Sequence, residues 1–338
     1  MDQKELLEEH NPLLVILPQD FARPRPWRRW LWQPAKVRRG DFHPCSAELF
    51  LSHVSISEEG RKPETPWNWD GTLTDLTALR QRLREVGADS TLDWHMDVWP
   101  IRSQRPASAW PTYRRMVEQY PVPFVPTVYG RCVEYGDRLA LQYWHLYVYN
   151  DAANYHEGDW EMVAIELDGG GKPVRAGYSG HASGFQRPWE RVQKRGKRPV
   201  VYIGRGSHAA YFEHRKKGHR TSSLESPKGQ PWLVEQISLR LQRAFQRLLR
   251  FLRWQDRTPA HPDLGADEEW SRGELLSPRV AILRRLDEVD TDDCWWMALR
   301  CRWGSSHKRW LGTAAPNPPW EQTAKWDDPL AWMDTLEK

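Results

Sequence analysis

The chain has 338 residues, with 49 Lys and Arg against 45 Asp and Glu, a net charge of +4 with histidine neutral. This length fits about two ordinary domains or one large all-β domain with insertions, and a 39% hydrophobic fraction excludes a disordered chain. The 22 glycines and 26 prolines follow no period, which excludes a collagen, and the longest aliphatic run, Leu13–Leu17, is far short of the roughly 18 apolar residues of a spanning helix.

The opening segment (Asp2, Lys4, Glu5, Glu8, Glu9) carries more acid than base and lacks the apolar stretch of a secretory signal. Four scattered cysteines, Cys45, Cys132, Cys294 and Cys301, form no CxxC pair. Reduced thiols in a cytoplasmic chain are therefore expected, with no zinc site or disulfide framework. Residues 21–40 form a basic, tryptophan-rich loop, with Arg23, Arg25, Arg28, Arg29, Lys36, Arg38 and Arg39 among Trp27, Trp30 and Trp32. The spacing of Leu76, Leu79, Leu83 and Val86, with Gly87 after it, predicts a helix over 74–86. Leu139–Tyr149 and Trp160–Leu167 predict strands, adjacent and antiparallel, on either side of a loop over 150–159. A turn at Gly169-Gly170-Gly171 leads to a strand over 174–178, and 199–203 is another, so this run reads as an antiparallel sheet.

Further on, Val234, Ile237, Leu241, Ala244, Phe245, Leu248 and Leu252 make the stripe of a long helix over 232–254. Arg240, Arg243, Arg247, Arg250 and Arg253 face away from that stripe, a basic amphipathic surface suited to anionic lipid or a partner, within a helical insertion spanning 231–257. A last strand is expected near 280–283. The 21 tryptophans read as filler of core and rim, supplying buried area that the aliphatic residues do not.

The stretch that carries chemistry is His156-Glu157-Gly158-Asp159-Trp160-Glu161. Strand alternation places Asp159 and Glu161 on one face with Val163, Ile165 and Leu167. Two inward carboxylates need a cation, a basic side chain or a retained proton. With His156 three residues before Asp159 they have the donors for a hard ion, Mg²⁺, Mn²⁺ or Ca²⁺ rather than Zn²⁺; pairing with arginine or loop amides is the alternative. His181 and His208 end predicted strands and, with Arg205 and Ser207, border the same pocket or merely tie their loops. Three motifs fail: Gly177–His181 lacks the last glycine of a nucleophile elbow, Gly169–Pro173 lacks the spacing of a phosphate loop, and Asp287–Asp293 lacks the glycine and distal glutamate of a calcium loop.

The HxGDWE segment at 156–161, the aromatic strand Tyr143-Trp144-His145-Leu146-Tyr147 and the segment Val200–Tyr211 with Arg205-Gly206-Ser207-His208-Ala209 resemble the vacuolar protein sorting-associated family numbered sixty-two. Pro12–Asp20, Pro44–Leu51, Arg302-Trp303-Gly304 and Trp326–Trp332 resemble its opening and close, so islands of likeness cover nearly the whole chain. More remotely, the chain is similar to the necrosis-inducing NEP1-like cytolysins with their GHRHDWE heptapeptide. The resemblance implies one 1–338 domain with a β-sandwich core, and a divalent cation held by His156, Asp159 and Glu161. The further aspartate of that site has no counterpart in register, so Asp151 or Asn150 takes its place, Asp151 foremost. The heptapeptide's second histidine is Gly158 here.

The expected fold is thus mainly β, an antiparallel sandwich with few helices. The expected function is a non-enzymatic, divalent-metal-binding protein that associates with an anionic membrane surface or a protein partner. The alternative is a metal-dependent hydrolase built on His156, Asp159, Glu161, His181 and His208. Nucleic-acid binding through 23–39 and 187–198 is disfavoured by the modest net charge and the lack of a reader motif.

Overall fold

Strands dominate because the chain alternates aromatic and β-branched residues with short turns. The computed structural model describes residues 2–19, 42–58, 75–87, 94–98, 106–150, 156–180, 183–214, 273–283, 292–299, 301–304 and 317–337. The predicted helix over 232–254 and the basic loop over 21–40 lie outside the described residues.

The site rides on a six-stranded sheet. In spatial order its strands are β13 (Arg279–Ile282), β4 (Thr127–Tyr135), β5 (Arg138–Asn150), β6 (His156–Leu167), β7 (Pro173–Gly180) and β8 (Ser183–Pro188). A second sheet has the order β11 (Ala210–Tyr211), β10 (Arg198–Ile203), β1 (Leu13–Ile16), β12 (Glu274–Leu276), with β9 (Lys194–Arg195) pairing to β10. A third holds β14 (Arg302–Trp303), β3 (Trp94–Val98) and β2 (Val54–Glu58). The described helices are α1 (Gln3–Glu9), α2 (Ala47–Leu51), α3 (Leu76–Gly87), α4 (Pro106–Gln119), α5 (Thr323–Asp327) and α6 (Pro329–Asp334).

The expected pairing of the two aromatic strands holds: β5 and β6 are antiparallel neighbours from Leu139↔Leu167 to Asn150↔His156. Two expectations need correction. The segment from 156 to 159 is strand, not loop, because the ladder continues through Tyr149↔Glu157 to Asn150↔His156. The sheets are also not purely antiparallel. β1 runs parallel to β10, β13 to β4 and β14 to β3, since these partners are joined by long stretches of chain rather than by hairpins.

Both central strands are buried on both faces, β6 along its whole length. Their residues therefore lack the polar–apolar alternation of a half-exposed strand. Trp144, Trp160, Trp296, Trp303, Trp320 and Trp326 form a connected run of rings, with centroids 5.4 to 6.4 Å apart from one ring to the next. This cluster holds six of the 21 tryptophans and ties the C-terminal helices to the sheet. Arg131 locks that joint: its guanidinium lies 3.8 Å from the Trp326 ring centroid and donates to the Trp326 carbonyl at 2.7 Å.

Candidate functional site

β6 enters the sheet through a contact that only glycine allows. Gly158 has φ +63°, and a Cβ there would come within 1.9 Å of the Trp303 carbonyl oxygen; across the contact, Gly304 has φ +127° and a Cβ there would meet the Glu157 carbonyl at 2.0 Å. The backbones of β6 and β14 thus approach with no room for a side chain. Glu157 is held at the same place, accepting from the Val98 amide of β3 at 2.7 Å.

The register sets Tyr147 opposite Asp159 and His145 opposite Glu161, so these four side chains share one face of the sheet. The Asp159 carboxylate is buried, and both of its donors reach the same oxygen. Asn150 Nδ2 and His208 Nδ1 each donate to Oδ2 at 3.0 Å. Among the described residues Oδ1 accepts no hydrogen bond. Burial pushes the Asp159 pKa up, but the His208 hydrogen bond, the charges of His156 and His208 and the Asn150 amide outweigh it and hold the carboxyl below its ordinary value. Glu161, also buried, accepts from Ser179 Oγ, which in turn accepts from the Met162 amide at 2.7 Å. Half-buried Lys325 of α5 feels both acids: burial lowers its pKa against the pull of Glu161 and Asp159.

His208 comes from the second sheet. The turn joining β10 to β11 is closed by Gly204 N to Ala209 O at 2.8 Å and His208 N to Gly204 O at 2.9 Å. It forces His208 to φ +56°, the left-handed region that non-glycine residues rarely adopt. The ring then lies flat on Tyr147, centroids 3.9 Å apart at 5°, and edge-on to Phe42 at 6.3 Å. With Nδ1–H given to Asp159, Nε2 is left buried with no partner among the described residues, as is Ser207 Oγ. Arg205, expected beside them, is exposed in the same turn and does not join the buried group.

His156 opens β6 with Nδ1–H donating to the Gly158 carbonyl at 2.7 Å, which leaves Nε2 as the ring atom with a lone pair. An imidazole oriented by a backbone carbonyl is the arrangement that metal-ligating histidines use. The described residues thus offer two atoms suited to a hard cation, Asp159 Oδ1 and His156 Nε2. They do not by themselves complete a site. Among the described residues no three His, Cys, Asp or Glu side chains stand together so as to hold a metal ion, and Glu161 is turned toward Ser179. The expected Asp151 and His181, and Arg240, Arg243, Arg247, Arg250 and Arg253, lie outside the described residues.

His145 and Tyr147 enter the sequence reading only as members of an aromatic strand, not as site residues. His145 is fully buried, neither ring nitrogen has a hydrogen-bond partner among the described residues, and burial lowers its pKa to about 3. The signal that finds these residues is register: once Leu139 faces Leu167, counting along both strands brings His145 to Glu161.

No family model and no curated protein matches the chain. Among solved structures it is similar to NLPPya in complex with glucosamine, at 23% identity over 26% of this chain and 44% of that one, TM-score 0.23. It is similar to a structure described as a toxin fold for microbial attack and plant defense, at 22% identity over 22% and 38%, TM-score 0.21. The non-toxic HaNLP3 protein is a third, at 21% identity over 23% and 39%, TM-score 0.20. The chain spans less than half the length of these structures. These likenesses to NEP1-like proteins are weak and of low coverage, and no match supports the vacuolar sorting-associated resemblance.

Proposed function

We propose that the chain is a non-enzymatic, divalent-cation-binding β-sandwich protein that associates with an anionic membrane surface or a protein partner. The observation that carries the cation is the state of Asp159: one carboxylate oxygen is pinned by two donors, the other accepts no hydrogen bond among the described residues, and the charge of His156 acts on the carboxyl. Asp151, in the segment between β5 and β6, is the further oxygen ligand, and Glu161 joins by leaving Ser179 or acts through water. When bound, Mg²⁺, Mn²⁺ or Ca²⁺ supplies positive charge to buried carboxylates whose described hydrogen-bond donors are an amide, an imidazole and a hydroxyl.

The sandwich reading is supported by contacts between the two larger sheets. Tyr178 of β7 stacks on Phe212 after β11 at 3.7 Å and points its hydroxyl at the Val200 carbonyl of β10, while His208 crosses to Asp159. A cytoplasmic location fits four free thiols, three of them buried, and among the described residues no helix is long and apolar enough to cross a membrane. The non-enzymatic reading rests on burial. His208, the histidine best oriented as a base, has no exposed surface through which substrate could reach it.

Elemental analysis of the intact protein, with calorimetric titration of Mg²⁺, Mn²⁺ and Ca²⁺ into wild type and Asp159→Asn, tests the cation. One equivalent binding to wild type and not to the variant is expected. Sedimentation with acidic vesicles, compared between wild type and a variant with Arg243, Arg247 and Arg250 changed to Glu, tests the surface. Equal behaviour of the two proteins in either assay overturns that half of the reading.

A further inference from the structure

A second feature lies at the opposite end of the β7–β8 ladder from Ser179. Val174, Arg175, Gln186, Arg187, Pro188 and Arg191 line a cleft of about 600 Å³, within the size range of small-molecule sites. Among the described residues no carboxylate lines it. The run Gln186–Arg198 carries six basic residues and one acid, a net charge of +5, more than the +4 of the entire chain. Of these six bases Arg187 and Arg191 line the cleft, beside Arg175 of β7.

The three guanidiniums are not equivalent. Arg175 is committed, with Nε on Glu166 and Nη1 on Asp334 at 2.5 Å each, and Nη1 also on Gln186 at 3.2 Å. It forms a fixed wall. Among the described residues Arg187 makes one ion pair, Nη2 to the exposed Glu213 at 3.3 Å, and its guanidinium lies 5.1 Å from the Phe212 ring centroid. The Arg191 side chain is exposed and forms no ion pair with another described residue. Arg187 and Arg191 thus bring spare N–H donors to one cleft, where two forked guanidiniums match the oxygens and the double charge of a phosphate monoester. Val174, 44% exposed, and Pro188 give the cleft an apolar wall for the carbon skeleton that bears the phosphate.

We propose that this cleft binds the phosphate group of a small phosphomonoester, with Arg187 and Arg191 as the phosphate-holding residues. The site is separate from the Asp159 centre and needs no cation. Its ligand is either a phosphorylated lipid headgroup at a membrane or a soluble sugar or inositol phosphate, and both present the same chemistry to the two arginines.

The test uses full-length protein, with inositol trisphosphate and inorganic pyrophosphate as soluble probes. Phosphatidylcholine vesicles with and without phosphatidylinositol bisphosphate serve as the membrane probe. Arg187→Gln and Arg191→Gln remove only exposed or half-exposed guanidiniums, so melting temperatures should stay close to wild type. Each should weaken binding about tenfold and the pair nearly abolish it, whereas Arg114→Gln on α4, an exposed arginine paired with Glu118, should change nothing. Binding should weaken as salt rises. Binding to the soluble probes and to vesicles with bisphosphate assigns a lipid headgroup, and binding to the soluble probes alone assigns a soluble phosphate. Absence of binding to every probe overturns the proposal, as does binding that Arg187→Gln and Arg191→Gln leave unchanged.

Discussion

The two ends of β6 bury acid in opposite ways. At its C-terminal end Glu166, 4% exposed, is met by two guanidiniums, Arg175 Nε at 2.5 Å and Arg138 Nη1 at 3.0 Å. At its N-terminal end Asp159, 6% exposed, is met by an amide and an imidazole, both on one oxygen. The first is a finished structural ion pair: its charge is cancelled and the guanidinium geometry fills its lone pairs. The second is met by histidine and an amide rather than by a guanidinium. Among the described residues one oxygen of this buried carboxylate accepts no hydrogen bond, the feature on which the proposed cation site rests. Burial alone does not separate structural from functional acids; the identity of the partners does.

The comparison can be broken at either end. Glu166→Gln leaves Arg175 and Arg138 without their shared carboxylate, and a broken buried pair costs about 3–5 kcal/mol. Denaturant unfolding should record that loss with no dependence on added divalent cation. Acid should act next. Burial lowers the pKa of His43 to about 4, against the pull of its Leu17 carbonyl contact, and that of His145 to about 3. The unfolded chain binds protons at both rings near the ordinary value of 6.5, while the folded chain refuses them. Stability is therefore complete above about pH 6.5 and falls as pH drops toward 4 and then 3, by about 2 kcal/mol per ring at about pH 5. His145→Leu should remove its share of that acid loss and leave stability at neutral pH unchanged or slightly raised, since no hydrogen bond among the described residues is lost. A large loss at neutral pH would show that the ring has a partner.

At the N-terminal end, His208→Asn keeps a short polar side chain but gives up the stacked ring that orients Asp159. Loss of an outer-shell partner of this kind weakens cation affinity by about 10- to 100-fold, read by calorimetry on folded variant. Arg138→Gln is the mildest change. Half of that side chain is exposed, so the substitution should cost no more than about 1 kcal/mol, well below Glu166→Gln.

Much of this was legible in the chain. The aromatic runs 139–149 and 160–167 identified the central hairpin, and the 3-4-3 spacing of Leu76, Leu79, Leu83 and Val86 identified a helix within a residue or two of the observed Leu76–Gly87. The HxGDWE segment pointed to the buried carboxylates. What stayed hidden was non-local. Leu13–Ile16 was an apolar run without a partner until β10 and β12 flanked it. The left-handed turn that delivers His208 to Asp159 has no sequence signature beyond its glycines. Glu166 and Glu161 are both acids in an apolar strand, and only the folded chain brings Arg175 to one and Ser179 to the other. The end of the strand between 156 and 159 was misjudged as loop because Gly158 and three charged or polar neighbours mimic a turn, whereas the glycine is there for the close approach of Trp303.

The central claim is that the Asp159 end of β6 is built for a cation and the Glu166 end is not. The most direct measurement is the shift in melting temperature on adding Mg²⁺, Mn²⁺ or Ca²⁺ to chelator-treated protein, for wild type, Asp159→Asn and Glu166→Gln side by side. At a hundredfold excess over Kd the ion should add about 2.7 kcal/mol to wild type. Glu166→Gln should start lower and gain the same increment, and Asp159→Asn should gain almost none. A wild type that does not respond, or an Asp159→Asn variant that responds as wild type does, would contradict the account.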